Sequence, residues 1–293
     1  MQIKSRTIIK KFTIFFVLII LAQSLKSQQN CEIKGKVIDN SGEPIPFANI
    51  VVKDSENGTY SDKDGLYVIR NLKSNSEIIF SCIGYKSDTI KHNEIDLIDG
   101  VLTVELKKKN IEFQTIEFSA SKKMNKRSFG LFKDGINYSL KIKEGIIIAY
   151  FIENIMQTEG IITKIKLKCH KVKNDPIVRI RLFKKSEKDE SPGEEILFNN
   201  TPFKLKRKRI KIDVRSENLI FPSDGVFVAL EIVKGGDYKE NKSLHYPFFQ
   251  MSDKTNKYNT WRSFMGSNWQ KMKLEIYTKN QPVNATFGID VLN

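Results

Sequence analysis

Residues able to do bond-making chemistry are few and scattered in this 293-residue chain. Its histidines are His92, His170 and His245, and the third residue after each is Ile95, Lys173 or Phe248. None therefore opens the His-x-x-Glu spacing that would set an imidazole and a carboxylate on one metal ion. No phosphate-cradling Walker loop, glycine-rich dinucleotide turn or G-x-S-x-G nucleophile elbow is present. The adjacent acids Glu194 and Glu195 follow Pro192-Gly193 and read as loop charge rather than an acid–base pair. Catalytic residues, cofactors and metal ligands are all expected to be absent, which leaves binding chemistry.

Two regions could bind. Trp261 and Trp269 sit eight residues apart, near Tyr246, and flat indole faces beside amides could stack on sugar rings. A hairpin turning at Gly266 explains the same spacing by packing alone. The second region is the basic run Lys204, Lys206, Arg207, Lys208, Arg209 and Lys211, interleaved with Phe203, Leu205, Ile210 and Ile212. The apolar residues change parity between Leu205 and Ile210, so a turn or bulge is expected near Arg207–Arg209. Such a tip could be a solvated edge that resists aggregation, or it could attract acidic glycans, phosphates or an acidic partner. In Ile161–Lys173, Ile165, Leu167 and Cys169 share one parity while Lys164, Lys166, Lys168 and His170 share the other. Cys169 is thus expected inside and His170 outside among lysines. Cys31 and Cys82 could pair in an oxidising compartment if their Cα atoms lie within about 7 Å.

The elements that must hold these residues read as strands. Short runs rich in Ile, Val, Phe and Tyr recur at Glu32–Ile38, Ala48–Lys53, Leu66–Arg70, Glu77–Cys82 and Val101–Leu106. They resume at Gly145–Ile152, Ile161–Cys169, Ile177–Phe183, Lys208–Val214, Gly225–Val233, Lys271–Tyr277 and Ala285–Val291. Gly, Pro, Asn, Asp and Ser clusters separate them, and no long window keeps a 3.6-residue period. An all-β fold in two sandwiches is expected. Residues 28–107 form the first domain, 108–130 a connecting strand and basic linker, and 131–293 the second domain.

The first 27 residues read as a secretory signal. Lys4, Arg6, Lys10 and Lys11 precede the apolar stretch from Phe12 to Ala22, which is shorter than the roughly 20 apolar residues a helical span needs. Cleavage near Ser27 removes five positive charges, with Lys26, and no acid, so the formal +15 falls to +10. Export to the periplasm, the outer-membrane surface or the medium follows, with no later transmembrane helix. Export also makes a nucleic-acid partner a poor explanation for the charge.

Several ordered motifs then carry a resemblance. Gly35-Lys36-Val37-Ile38-Asp39 leads into Asn40-Ser41-Gly42-Glu43-Pro44-Ile45-Pro46 and Phe47-Ala48-Asn49-Ile50-Val51-Val52. Gly58-Thr59-Tyr60-Ser61-Asp62-Lys63-Asp64-Gly65-Leu66-Tyr67-Val68 and Phe80-Ser81-Cys82-Ile83-Gly84-Tyr85 follow. Together they resemble the carboxypeptidase-like regulatory domain, a transthyretin-like seven-strand β-sandwich of exported Bacteroidetes-type proteins. The resemblance implies a non-catalytic accessory module, often found at the N-terminus of TonB-dependent receptors. Asp62-Lys63-Asp64-Gly65 lacks the full calcium-loop spacing and is expected to be a hairpin turn. Ile111–Phe118 resembles the short strand that follows the module in those receptors, but about 165 residues remain here, too few for a plug and a barrel of about 22 strands. Residues beyond 129 resemble an uncharacterised jelly-roll-like β-domain that accompanies the module in short exported proteins. The residues carrying that likeness include Arg179-Ile180-Arg181-Leu182-Phe183, Ser191-Pro192-Gly193-Glu194-Glu195 and Gly225-Val226-Phe227-Val228-Ala229-Leu230-Glu231. The expected role is a binding or assembly module of the envelope, whose partner is an envelope protein or an anionic glycan. Carbohydrate capture is the alternative.

Overall fold

The computed structural model of the chain describes residues 31–95, 101–109, 125–133, 135, 138–172, 175–197, 201–234, 248–276 and 280–293. The expected leader, Tyr246, His245 and the Ile111–Phe118 segment lie outside the described residues.

The first module contains β1 (Cys31–Asp39), β2 (Asn49–Val52), β3 (Gly58–Tyr60), β4 (Leu66–Leu72), β5 (Glu77–Ser81), β6 (Asp88–Lys91) and β7 (Val101–Leu106). One sheet runs β4-β1-β7, with β1 parallel to β7, and the other runs β3-β2-β5-β6. Alternation makes the sandwich: Ile33 and Val37 of β1 turn inward while Glu32 and Lys34 stay in water. They meet Ile50, Ile69, Ile78, Phe80 and Val104 in one core, where each such side chain contributes roughly 1.5–3 kcal/mol on burial. Phe80, wholly buried and edge-on to Tyr67 at 5.5 Å, is the residue whose truncation would open the largest hole. The turn before β4 is held by Asp62, whose Oδ1 accepts the N–H groups of Asp64 and Leu66, each at 2.9 Å. Gly65 takes φ +74° there, and a Cβ would lie 2.6 Å from the Val37 carbonyl, so this acidic motif is a structural turn.

The second module begins earlier than the sequence suggests. Its strands are β8 (Lys126–Gly130), β9 (Ser139–Lys141), β10 (Ile146–Glu153), β11 (Gly160–Lys171), β12 (Ile177–Lys185), β13 (Pro192–Glu195), β14 (Phe203–Lys204), β15 (Arg209–Asp213) and β16 (Ile220–Phe221). They continue with β17 (Gly225–Lys234), β18 (Phe248–Ser252), β19 (Thr260–Phe264), β20 (Gln270–Lys271), β21 (Glu275–Ile276), β22 (Gln281–Pro282), β23 (Asn284–Ala285) and β24 (Phe287–Leu292). β8 occupies residues expected to be linker. Paired to β24 at a sheet edge, it places Phe129 alone against the core and leaves its other residues exposed, so it shows no apolar alternation.

Two sheets enclose the larger core. One runs β13-β12-β17-β10-β19-β20, the other β23-β18-β11-β24-β8 with β15 and β16 also on β11. Ile148, Ile152, Ile180, Leu182, Val228 and Leu230 of the first face Ile165, Leu167, Phe249, Phe287 and Ile289 of the second. The parity change near Arg207 has a simple cause: β14 pairs with β12 in one sheet and β15 with β11 in the other. The chain crosses between the sheets there, leaving Leu205 in the core and the cations outside. The protein is thus all-β, with a seven-strand sandwich followed by a jelly-roll-like sandwich. Among the described residues no helix is long and apolar enough to cross a membrane.

Candidate functional site: a buried junction and an exposed basic sheet

The outer face of the β12–β17–β10 sheet is buried although it carries charge. Arg179 and Glu231 stand directly opposite each other on β12 and β17, with side chains 3% and 0% exposed. On the first module, Asn49 and Tyr60 stand opposite each other on β2 and β3. These two cross-strand pairs meet. Arg179 Nε donates to Glu231 Oε2 at 2.9 Å, its Nη2 donates to Asn49 Oδ1 at 2.8 Å, and its Nη1 donates to the Phe47 carbonyl at 3.1 Å. Tyr60 Oη donates to Glu231 Oε1 at 3.0 Å, and Asn49 Nδ2 donates to the Met265 carbonyl at 3.1 Å. Phe47 adopts φ +57°, a strained value for a bulky residue, at the peptide whose carbonyl meets Arg179.

Arg181 extends the network. Its Nε and Nη2 donate to both oxygens of Glu195 at 2.9 and 2.7 Å, and its Nη1 lies 3.5 Å from Glu231. Glu194 binds Lys184 at the surface. The two acids are therefore not loop charge: β13 pairs with β12 across a register shift that sets Glu195 opposite Phe183, and Glu195 reaches Arg181. Burial by itself would raise the Glu231 carboxyl, but the Arg179 and Arg181 guanidiniums outweigh it and hold the group below its ordinary value. Burial, reinforced by the Glu231 charge, pushes the Tyr60 hydroxyl well above its ordinary value. Glu231 is an ionised acceptor with each oxygen engaged, and Tyr60 is a protonated donor to it.

The tryptophans lie beside this junction. Trp261 pairs with Lys271 across the β19–β20 hairpin, whose turn places Gly266 at φ +80°. Trp261 is 8% exposed, edge-on to Phe227, with Lys271 Nζ 5.3 Å from its ring centre. Trp269 is half-buried, edge-on to Phe183 at 5.4 Å. With Ile147 and Ala229 these rings form a second apolar cluster, in which Trp261 is buried and Trp269 only partly so. The same turn reaches the first module, where Asn268 Nδ2 donates to Asp54 at 2.7 Å and Arg262 pairs with Glu56. A cleft of about 200 Å³ lies between Val51, Asp54 and Ser81 on one side and Met265–Asn268 on the other.

Arg207, Lys208 and Arg209 are all exposed and lie far along the chain from the tryptophan turn, on the opposite sheet. Lys208 still joins that sheet through its carbonyl, which accepts the Cys169 N–H at 2.6 Å. Arg209 falls directly opposite Lys168, and Lys211 opposite Lys166. Cys169 is buried, which pushes its thiol up to about 12, and His170 is exposed. All three thiols are free. Cys31 Sγ instead lies 3.3 Å from His92 Nε2. Among the described residues no group of three His, Cys, Asp or Glu side chains is placed to hold a metal ion.

The site residues missed in sequence were Arg179, Arg181 and Glu231. Their signal is visible in retrospect: Glu231 interrupts an otherwise apolar strand, and Arg179 and Arg181 share one face of another. Charges in such places need buried partners.

The fold defines a class: an all-β chain in which a small transthyretin-like module is fastened to a larger sandwich. Comparison with known proteins narrows the first part. Residues 33–123 match the family model of the CarboxypepD_reg-like domain. TonB-dependent receptor P39 of Formosa agariphila is 30% identical over 94 residues, covering 31% of this chain and 9% of the receptor. TonB-dependent receptor SusC of Bacteroides thetaiotaomicron is 32% identical over 85 residues, covering 26% of this chain and 8% of the receptor. The chain thus spans less than a tenth of these receptors' length. Among solved structures, a DUF3823 family protein from Parabacteroides merdae aligns over 70% of this chain and 98% of its own, at 8% identity and a TM-score of 0.20.

Proposed function

We propose that this chain is an exported, non-catalytic envelope protein that works as a binding and assembly unit. In this reading the receptor-type module is a rigid mount and the second sandwich presents the binding surface. The observation that carries it is the junction: Arg179, Glu231, Asn49 and Tyr60 hydrogen-bond one another across the two modules, so these groups are engaged in holding the modules together. The local likeness to TonB-dependent receptor segments in Formosa and Bacteroides supports an envelope setting. The leader-like first 27 residues support export.

Fractionation tests this directly. An epitope-tagged full chain expressed in a Bacteroidetes host should appear in the envelope or medium, with its mature N-terminus near residue 28. Recovery in the cytoplasm with the first 27 residues intact would overturn the reading. Carbohydrate capture, the second reading, draws its support from the basic sheet rather than from the tryptophans.

A further inference from the structure

The outward face of the β15-β11-β24-β8 sheet is built against itself. Lys164, Lys166 and Lys168 alternate along β11 with the core residues Ile165, Leu167 and Cys169. On the neighbouring edge strand, Arg209 and Lys211 point the same way, and the register sets Lys168 opposite Arg209 and Lys166 opposite Lys211. Like charges directly across a strand pair destabilise a sheet, and here two such pairs are adjacent. The face does contain acids, but they are engaged. Asp290 binds Lys166 at 2.5 Å, accepts from Ser128 at 2.6 Å and lies 3.7 Å from Lys126. Asp213 is held by Arg215 at 2.6 Å, a contact that leads the causes bringing its carboxyl to about 2. Among the described residues Lys164, Lys168, Arg209 and Lys211 form no ion pair.

An aromatic ring lies in the middle of these cations. Phe132 crosses the strand at Gly288, where a Cβ would lie 2.9 Å from the Phe132 Cβ. Gly288 is the residue opposite Lys166 on β24. The half-buried ring has Lys166 Nζ 5.6 Å and Lys211 Nζ 5.9 Å from its centre. Cations on one strand repeat every second residue, about 6.6 Å apart, and the next strand continues them about 4.8 Å away. The result is a positively charged sheet face around an aromatic patch, in which Lys166 and Asp290 are buried, Lys164 and Lys168 are half-buried, and Arg209 and Lys211 are exposed. A compact phosphate would be better served by a concave nest of N–H groups. Cations spaced along two strands beside an aromatic ring instead suit an extended polymer that carries regularly spaced anions and an apolar ring face.

We propose that this face binds an acidic polysaccharide, with Lys164, Lys168, Arg209 and Lys211 meeting its carboxylate or sulfate groups and Phe132 packing on a sugar ring. The inference rests on the exported binding role proposed above and names the ligand class. Binding would relieve the repulsion that the cross-strand lysine and arginine pairs otherwise retain.

The test uses the chain from residue 28 onward in affinity electrophoresis and calorimetry with alginate and dextran sulfate. Neutral dextran, a single-stranded 20-mer DNA and phosphatidylglycerol vesicles serve as comparisons. Retardation by alginate or dextran sulfate but not by dextran is expected, weakening as salt rises. Lys168→Glu with Lys211→Glu should weaken it at least about tenfold while the thermal midpoint stays near the parent's. Phe132→Ala should weaken it severalfold without removing a charge. Three results would overturn the proposal: no binding to either acidic polymer, binding unchanged in both variants, or DNA or vesicles bound as tightly with no dependence on Phe132. A chain that fractionates with the envelope but binds neither polymer would lose this ligand and keep its export role.

Discussion

The junction and the basic sheet use the same side chains for opposite ends. At the junction Arg179 and Glu231 are removed from water, Arg181, Glu195 and Tyr60 largely so, and each oxygen of the two carboxylates accepts a hydrogen bond. On the β11–β15 face Lys168 stands opposite Arg209 and Lys166 opposite Lys211, Arg209 and Lys211 are exposed, and the acids nearby are already engaged, Asp290 by the buried Lys166. Desolvation separates the two. Buried charge is tolerated only when fully paired, and breaking the pair is costly because one ion is stranded. Exposed charge is screened, so imperfect pairing costs tenths of a kcal/mol and can be kept for a ligand. The junction accordingly specifies how the two modules meet, while the sheet leaves its electrostatics open.

The strongest way to break this comparison is to strand a charge. Glu231→Ala leaves Arg179 buried without its carboxylate and should destabilise the chain by about 3–5 kcal/mol, seen as a lower unfolding midpoint. Arg179→Ala with Glu231→Ala should cost less than the two single changes added together. A double-mutant cycle showing simple additivity would mean that the pair is not coupled. Trypsin should also cut between the modules faster in Glu231→Ala, because the interface that holds them is loosened.

Tyr60→Phe removes one donor to the same carboxylate and leaves the ring. A hydrogen bond to a charged group is worth about 1.5–3 kcal/mol, so a loss in that range is expected in denaturant titration. A loss below a few tenths would show that water replaces the hydroxyl at Glu231 and that the junction is wetter than its burial implies.

Acid should act on the junction in a defined direction. Burial works to raise the Glu231 carboxyl and the two guanidiniums more than compensate, so its folded value lies below the ordinary one near 4.3. The unfolded chain then binds the proton first, and stability present at neutral pH is lost as the pH falls below about 4.3 toward the folded value. Glu231→Gln should be weaker at pH 7 yet lose less on acidification than the parent. Parallel pH profiles for the two proteins would remove Glu231 as the acid-sensitive group.

Much of this architecture was legible before the structure. The strand pattern located β1, β4, β7 and β17 to within a residue or two, and opposite parities put Cys169 inside and His170 outside, while Lys166 is buried in its ion pair with Asp290. The parity slip between Leu205 and Ile210 marked the crossing between sheets, although it reads locally as a bulge. Edge strands were hidden for a physical reason. β8 and β13 each pair with one neighbour and place few apolar side chains in a core, so they carry little hydrophobic pattern, and Pro192-Gly193 looks like a turn when it begins a strand. The junction was hidden because its partners are far apart in sequence: Asn49 and Tyr60 meet Arg179 and Glu231 across more than a hundred residues. The out-of-place charges pointed to a need for partners without saying where they lay.

The smallest effect tests the other half of the comparison. Lys211 lies opposite Lys166, with its Nζ 5.9 Å from the Phe132 ring centre. Lys211→Gln removes a like-charge repulsion and a cation–π contact, each worth a few tenths of a kcal/mol at an exposed site. The two losses oppose each other, so the net change should fall within about 0.5 kcal/mol. Salt separates them. Raising ionic strength screens the repulsion in the parent and should stabilise it slightly, while the Lys211→Gln protein gains less. Equal salt responses would mean that the β11–β15 cations do not repel one another in the folded chain, removing the electrostatic reason for an anionic polymer to bind there.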